Sequence, residues 1–140
     1  MTGHIPTPSY VNSRYVLKFI DDFSRYCWVY FLKQISEVFE IFKFFKDLVE
    51  KLSGNNIKLL RTDNGKEYVN NNLQHLCEEN GIQMQHYVPY TPQQIGVAER
   101  KNRALKEMAT CVLEAKYLSP NIWDEAINFV EYVHNRVPHK

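Results

Sequence analysis

Hydrophobic patterning in this chain predicts an α/β fold in which a mixed sheet is flanked by helices. Two adjacent segments rich in β-branched and aromatic residues, an amphipathic stretch leading into a short apolar run, and two helical periodicities near the end carry that prediction.

Residues 1–13 hold Gly3, Pro6 and Pro8 among small polar side chains, so they read as an extended lead-in without a core of its own, and the fold starts after them. Tyr15–Ile20 and Tyr26–Leu32 read as strands, and the polar Asp21–Arg25 stretch between them makes an antiparallel hairpin. Ser36 suits a helix N-cap, with Glu37 and Glu40 in the first turn. From there Val38, Ile41, Phe42, Phe45, Leu48, Val49 and Leu52 mark one helical face, and Gly54 ends it. Ile57–Leu60 reads as a short buried strand, which a crossover helix would set parallel in the sheet. A shorter helix with Leu73, Leu76 and Cys77 stops near Gly81, and Ile82, Met84 and Val88 form another strand. Pro89–Gly96, with two prolines, reads as a loop. A helix from about Val97 to Lys116 carries Leu105, Met108, Ala109 and Val112 at helical spacing. The last helix is capped by Ser119 with Pro120 at its first position, and it buries Trp123, Ile127 and Val130.

At 140 residues the chain is long enough for one domain with an ordinary core. Its net charge of +1 excludes polyanion binding through bulk charge, so any such binding needs a patch, and Arg100, Lys101, Arg103 and Lys106 supply one. Three cysteines without a CxxC pair point to reduced thiols in an intracellular protein. No apolar run is long enough to span a membrane, and the first residues lack the basic and apolar regions of a signal peptide, so the expectation is a protein that is not secreted.

Two carboxylates stand out. Asp63 follows the short strand beside an Asn-Gly turn, at the sheet edge where ligands of α/β folds gather. Glu99 opens the long helix and points away from its apolar stripe, with Asn102, Arg103, Lys106 and Thr110 on its own face. That row is placed to contact a phosphate backbone. Hard oxygen donors of this kind suit Mg2+, and paired ions hold the attacking and leaving oxygens of a phosphoryl displacement. Such a site typically uses three acidic groups; this pair offers two. The ordinary roles compete: Asp before Asn-Gly is commonly a turn residue, Glu near a helix start serves the dipole, and a basic helix face is commonly just solvated. His75, Cys77 and His86 lack the second ligand pair of a zinc site. No glycine-flanked serine marks a hydrolase nucleophile.

Several motifs together resemble the integrase core of copia-type LTR retrotransposon polyproteins. They are Phe19-Ile20-Asp21-Asp22-Phe23-Ser24-Arg25-Tyr26, Trp28-Val29-Tyr30-Phe31-Leu32-Lys33, Leu60-Arg61-Thr62-Asp63-Asn64-Gly65, Glu67-Tyr68, Pro89-Tyr90-Thr91-Pro92-Gln93-Gln94 and Gly96-Val97-Ala98-Glu99-Arg100-Lys101-Asn102-Arg103. Trp123-Asp124-Glu125-Ala126 and Asn135-Arg136 add to the likeness, which spans nearly the whole chain. The resemblance implies an RNase H-like fold and a DDE polynucleotidyl transferase of the retroviral integrase type. Such an enzyme processes element ends and joins element DNA to target DNA with Mg2+ or Mn2+. Asp63 becomes the second acidic residue and Glu99 the third, with the family's interval of 35 residues kept.

Departures from the pattern set further expectations. Gly3-His4 stands where the family has Gly-Pro, and the strand bearing the first catalytic Asp would lie before it. The expectation is therefore an N-terminally truncated core, first strand missing, inactive on its own and with an uncovered sheet edge that favours homo-oligomers. Asp21 and Asp22 match the hairpin motif instead of the missing acid. Ile95 replaces Asn, and Lys66 replaces Gly. Action on chromosomal DNA would place the protein in the nucleus. The competing expectations are a non-enzymatic nucleic-acid or protein-binding module on the same scaffold, and an inert remnant.

Overall fold

The computed structural model describes Ile5 and residues 7–62, 71–86 and 92–137, with the side chains of residues 86, 92–99, 101 and 102 outside that description. The chain divides into two compact units, Met1–Gln34 with Val97–Lys140, and Ile35–Gly96.

In the first unit, β1 (Tyr15–Ile20) and β2 (Cys27–Leu32) form the expected antiparallel hairpin, with Tyr15 opposite Leu32 and Ile20 opposite Cys27. Its turn is tied by Asp21, whose carboxylate accepts the Ser24 amide at 3.0 Å and the Ser24 hydroxyl. The hydroxyl bond holds the Asp21 carboxyl below its ordinary pKa. Asp21 thus serves the turn, in keeping with its place in the hairpin motif.

Two helices cover this hairpin's core: α3 (Pro92–Ala115), whose residues from Val97 onward belong to the unit, and α4 (Trp123–Arg136). Leu105 and Ala109 of α3 meet Trp123, Ala126, Ile127 and Val130 of α4 and Val16 of β1 in one buried cluster. Met108, expected in the same stripe, is 46% exposed, since it lies on the flank of the Leu105–Ala109 face. Ser119 and Pro120 open a 3-10 turn, Pro120–Ile122, which leads into α4. The proline loses nothing there, because the first amides of a helical segment have no internal acceptor.

The lead-in is less independent than its composition predicts. Ile5 donates to the Arg14 carbonyl at 2.9 Å, the Trp123 indole donates to the Thr7 carbonyl at 2.9 Å, and Ser9 and Ser13 are buried. The fold therefore begins well before Tyr15.

In the second unit a 3-10 turn, Ile35–Glu37, precedes α1 (Val38–Ser53), so Ser36 lies inside that turn and Glu37 holds the N-cap position. Val38, Phe42 and Phe45 are buried as expected, whereas Leu52 in the last turn is 76% exposed. Gly54 closes the helix at φ 71°, a left-handed conformation open to glycine without penalty. Next come β3 (Leu59–Thr62), α2 (Asn71–Glu79) and β4 (Gln83–His86). Strands β3 and β4 run parallel, Leu59 opposite Gln83 and Thr62 opposite His86. The strand expected at Ile57–Leu60 starts two residues later because the Ile57 amide is taken by the Glu50 carboxylate at 2.9 Å. The parallel partner of β3 is thus β4, joined to it through α2.

The segment read as a loop before Glu99 is partly helix. Helix α3 begins at Pro92, not near Val97, so Gln93 to Gly96 are its first turn. Proline at a helix start has φ preset and no amide to leave unpaired, which turns the residue that seemed to forbid regular structure into its origin.

Candidate metal and nucleic-acid site

Strand β3 ends at Thr62, which is 6% exposed, and the next residue in sequence is Asp63. Asp63 itself lies outside the described residues, as do Asn64, Gly65, Lys66 and Glu67. Arg61, two residues before Asp63, is steadied by its Nε donating to Gln85 Oε1 across the parallel ladder at 2.9 Å.

Glu99 is the eighth residue of α3, two turns in from Pro92, and its side chain lies outside the description. That backbone position removes one ordinary explanation. The helix dipole favours carboxylates only within the first turn, so Glu99 does not serve it. At 100° per residue, position 99 falls about 120° around the helix from Leu105, outside the Leu105–Ala109 face.

Arg103, Lys106 and Thr110 lie on that same outward side and are exposed, as is Arg100. The Thr110 hydroxyl donates to the Lys106 carbonyl at 2.9 Å, so a phosphate contact from Thr110 requires that bond to be exchanged. The side chain of Asn102 lies outside the description.

Among the described residues, no group of three His, Cys, Asp or Glu side chains is arranged to hold a metal ion. His75 Nε2 sits 2.9 Å from Glu79 on the same helix, and burial raises the pKa of the Cys77 thiol, which disfavours a thiolate ligand. The two carboxylates expected to bind metal, Asp63 and Glu99, have their side chains outside the described residues.

Sequence reasoning missed two arrangements. Lys46 is buried on the apolar face of α1 and pairs with Glu50 at 2.9 Å, while Glu50 also receives the Ile57 amide. Their spacing of four residues was the available signal. Asn135 of α4 accepts the Cys27 amide at 3.0 Å and donates to the Cys27 carbonyl at 2.8 Å, completing the edge of β2 as a neighbouring strand would. No local pattern announces a bond across 108 residues.

A hairpin, a parallel βαβ unit and long flanking helices define a mixed α/β protein of the RNase H-like, retroviral integrase core class. The structure superposes on the HTLV-2 integrase catalytic core domain in complex with magnesium, a trimeric form, at a TM-score of 0.65, 22% identity, 98% of this chain and 90% of that one. It also matches a chain of the simian T-cell lymphotropic virus intasome in complex with the PP2A regulatory subunit B56 gamma, at a TM-score of 0.69 and 22% identity, covering all of this chain and 52% of that one.

The chain belongs to the integrase core domain family, which matches residues 1–92. It is 40% identical over 136 residues to the retrovirus-related Pol polyprotein from transposon TNT 1-94 of Nicotiana tabacum, covering 97% of this chain and 10% of the polyprotein. To the corresponding polyprotein from transposon RE2 of Arabidopsis thaliana it is 38% identical over 133 residues, covering 95% of this chain and 9% of that one. This chain therefore spans about a tenth of the curated relatives it matches. Its membership supports a role in DNA integration, and no helix among the described residues is long and apolar enough to cross a membrane.

Proposed function

We propose that this chain is the core of a copia-type retrotransposon integrase, in which Asp63 and Glu99 are two of the three acidic residues that hold Mg2+ or Mn2+ for end processing and strand transfer of element DNA. The observation that carries this reading is the 40% identity to a retrotransposon polyprotein over a continuous 136 residues, a span long enough to include the strand before Asp63 and the helix bearing Glu99. The bound metal supplies positive charge to phosphoryl oxygens. Asp63 and Glu99 contribute the hard oxygens, and Arg103 and Lys106 hold the phosphate backbone from the same side of α3. A complete triad needs one acidic group more than this pair, so the 140 residues on their own are expected to be inactive. The action falls on chromosomal DNA in the nucleus, by an assembly of several copies.

The test is strand transfer of element-end DNA with Mg2+ by the integrase region that contains this chain and carries a third acid. Activity is expected there, lost in Asp63→Asn and in Glu99→Gln; either variant retaining full activity overturns the assignment. A second reading is a binding module without catalysis, favoured by the exposed Arg100, Arg103 and Lys106. Its sign is DNA binding that survives both carboxylate variants, weakens with salt, and loses about two units of salt slope when Arg103 and Lys106 become Ala.

A further inference from the structure

We propose that β2 takes an added strand along its outer edge, an extended segment of a partner polypeptide that carries a carboxylate. The hydrogen-bonding pattern of β2 is what points there. Asn135 bonds both the amide and the carbonyl of Cys27, so that residue turns its backbone away from β1. Alternation along a strand then puts the N–H and C=O of Val29 and Phe31 on the same outward edge. Among the described residues β2 pairs with β1 alone, and no hydrogen bond reaches Val29 or Phe31 on that edge. Asn135 fills the first rung and leaves the next two open. Donors and acceptors that alternate at strand spacing are matched by the backbone of an extended polypeptide, a pattern that nucleic acid and lipid headgroups do not repeat.

The space beside that edge fits a short strand. A groove of about 510 Å³ runs between β2 and α4, with Tyr26, Trp28 and Val29 on the strand side and Phe129, Tyr132 and Arg136 on the helix side. Val29 and Phe31 pack toward the cluster that holds α4, whereas Trp28 points to the opposite face of the hairpin. Side chains of an added strand alternate in the same way, so those on one face meet the Phe129 and Tyr132 rings, 57% and 58% exposed, and those on the other meet Trp28. Charge sets the remaining preference. Arg136 is exposed at the rim, 3.5 Å over the Tyr132 ring centroid, and meets no carboxylate among the described residues. Glu131 is 4% exposed and its unpartnered oxygen is sealed, so the charge offered to an occupant is that of Arg136, and a carboxylate answers it.

The experiment follows backbone amide exchange of the full chain by NMR, alone and with acetyl-Asp-Val-Thr-Val-Asp-amide. In the free protein the Val29 and Phe31 amides are expected to exchange at least about tenfold faster than those of Trp28 and Tyr30, which bond to β1. The peptide is expected to slow Val29 and Phe31 saturably, by about tenfold or more. A match N-methylated at its three central residues keeps the side chains, loses the donors and is expected to give no protection. Lys in place of both Asp, or Arg136→Ala with the parent peptide, is expected to weaken binding about threefold. Arg136 is exposed, so its variant leaves the fold in place. Val29 and Phe31 amides as slow as their neighbours in the free chain, no saturable protection, equal protection by the N-methylated match, or affinity indifferent to Arg136 would overturn the proposal. So would protection that grows with protein concentration alone, which makes a second copy the occupant.

Discussion

Replacing Asn135 with Ala tests whether one side chain acts as a third strand for β2. Its amide makes two hydrogen bonds to Cys27, at 3.0 and 2.8 Å, and Cys27 is 2% exposed. Each bond contributes a net of about 0.5–1.5 kcal/mol, and stranding a buried backbone group moves the loss toward the upper end. Asn135 is itself half-buried, so water replaces part of what is removed. The expected cost is about 2–3 kcal/mol, or a fall of roughly 8–12 °C in melting temperature for a chain of this length. Urea unfolding followed by tryptophan fluorescence gives the number, with Asn128→Ala as control. Asn128 is exposed on the same helix, and its loss is expected to stay within about 0.5 kcal/mol. If the two variants fall together, the strand-like role of Asn135 is wrong.

Leu105→Ala removes a side chain that is 4% exposed in the cluster joining α3, α4 and β1, and should cost about 2–5 kcal/mol in the same denaturation assay. Gly54→Ala meets no atom within 4 Å but must adopt φ 71°, so calorimetry should show a loss of about 1–2 kcal/mol, with Gly54→Asn milder. Glu50 has its pKa lowered, first by the hydrogen bond from Lys46, so the unfolded chain takes up its proton more readily. The stability it contributes is complete above the ordinary carboxylate range and disappears as pH falls through the folded value. Melting temperatures of the parent and Glu50→Gln should therefore differ at neutral pH, by about 1–2 kcal/mol equivalent, and converge in acid.

Periodicity revealed β1, the body of α1 and the packed faces of α3 and α4, because each element is long enough for its apolar pattern to repeat. It failed at ends, where single hydrogen bonds decide. The Glu50 carboxylate delayed β3 by capturing the Ile57 amide, and Pro92 started a helix where two prolines suggested none. Composition also misjudged the lead-in, since Trp123 anchors it through Thr7 from the far end of the chain. Of the candidate site, the sequence marked Asp63, Glu99 and the basic residues; the Glu50 bond to the Ile57 amide and the Asn135 bridge depend on contacts that emerge only after folding.

Helix α3 runs unbroken from Pro92 through Glu99 to the residues anchored at Leu105 and Ala109. Such a rod works like a ruler: each residue advances about 1.5 Å and swings about 100°. Between Glu99 and Leu105 almost any exchange of one outward side chain for another leaves the bearing of Glu99 intact. Adding or deleting a single residue there would rotate it by more than a quarter turn against its anchors. The interval should consequently tolerate spelling changes and reject changes of length.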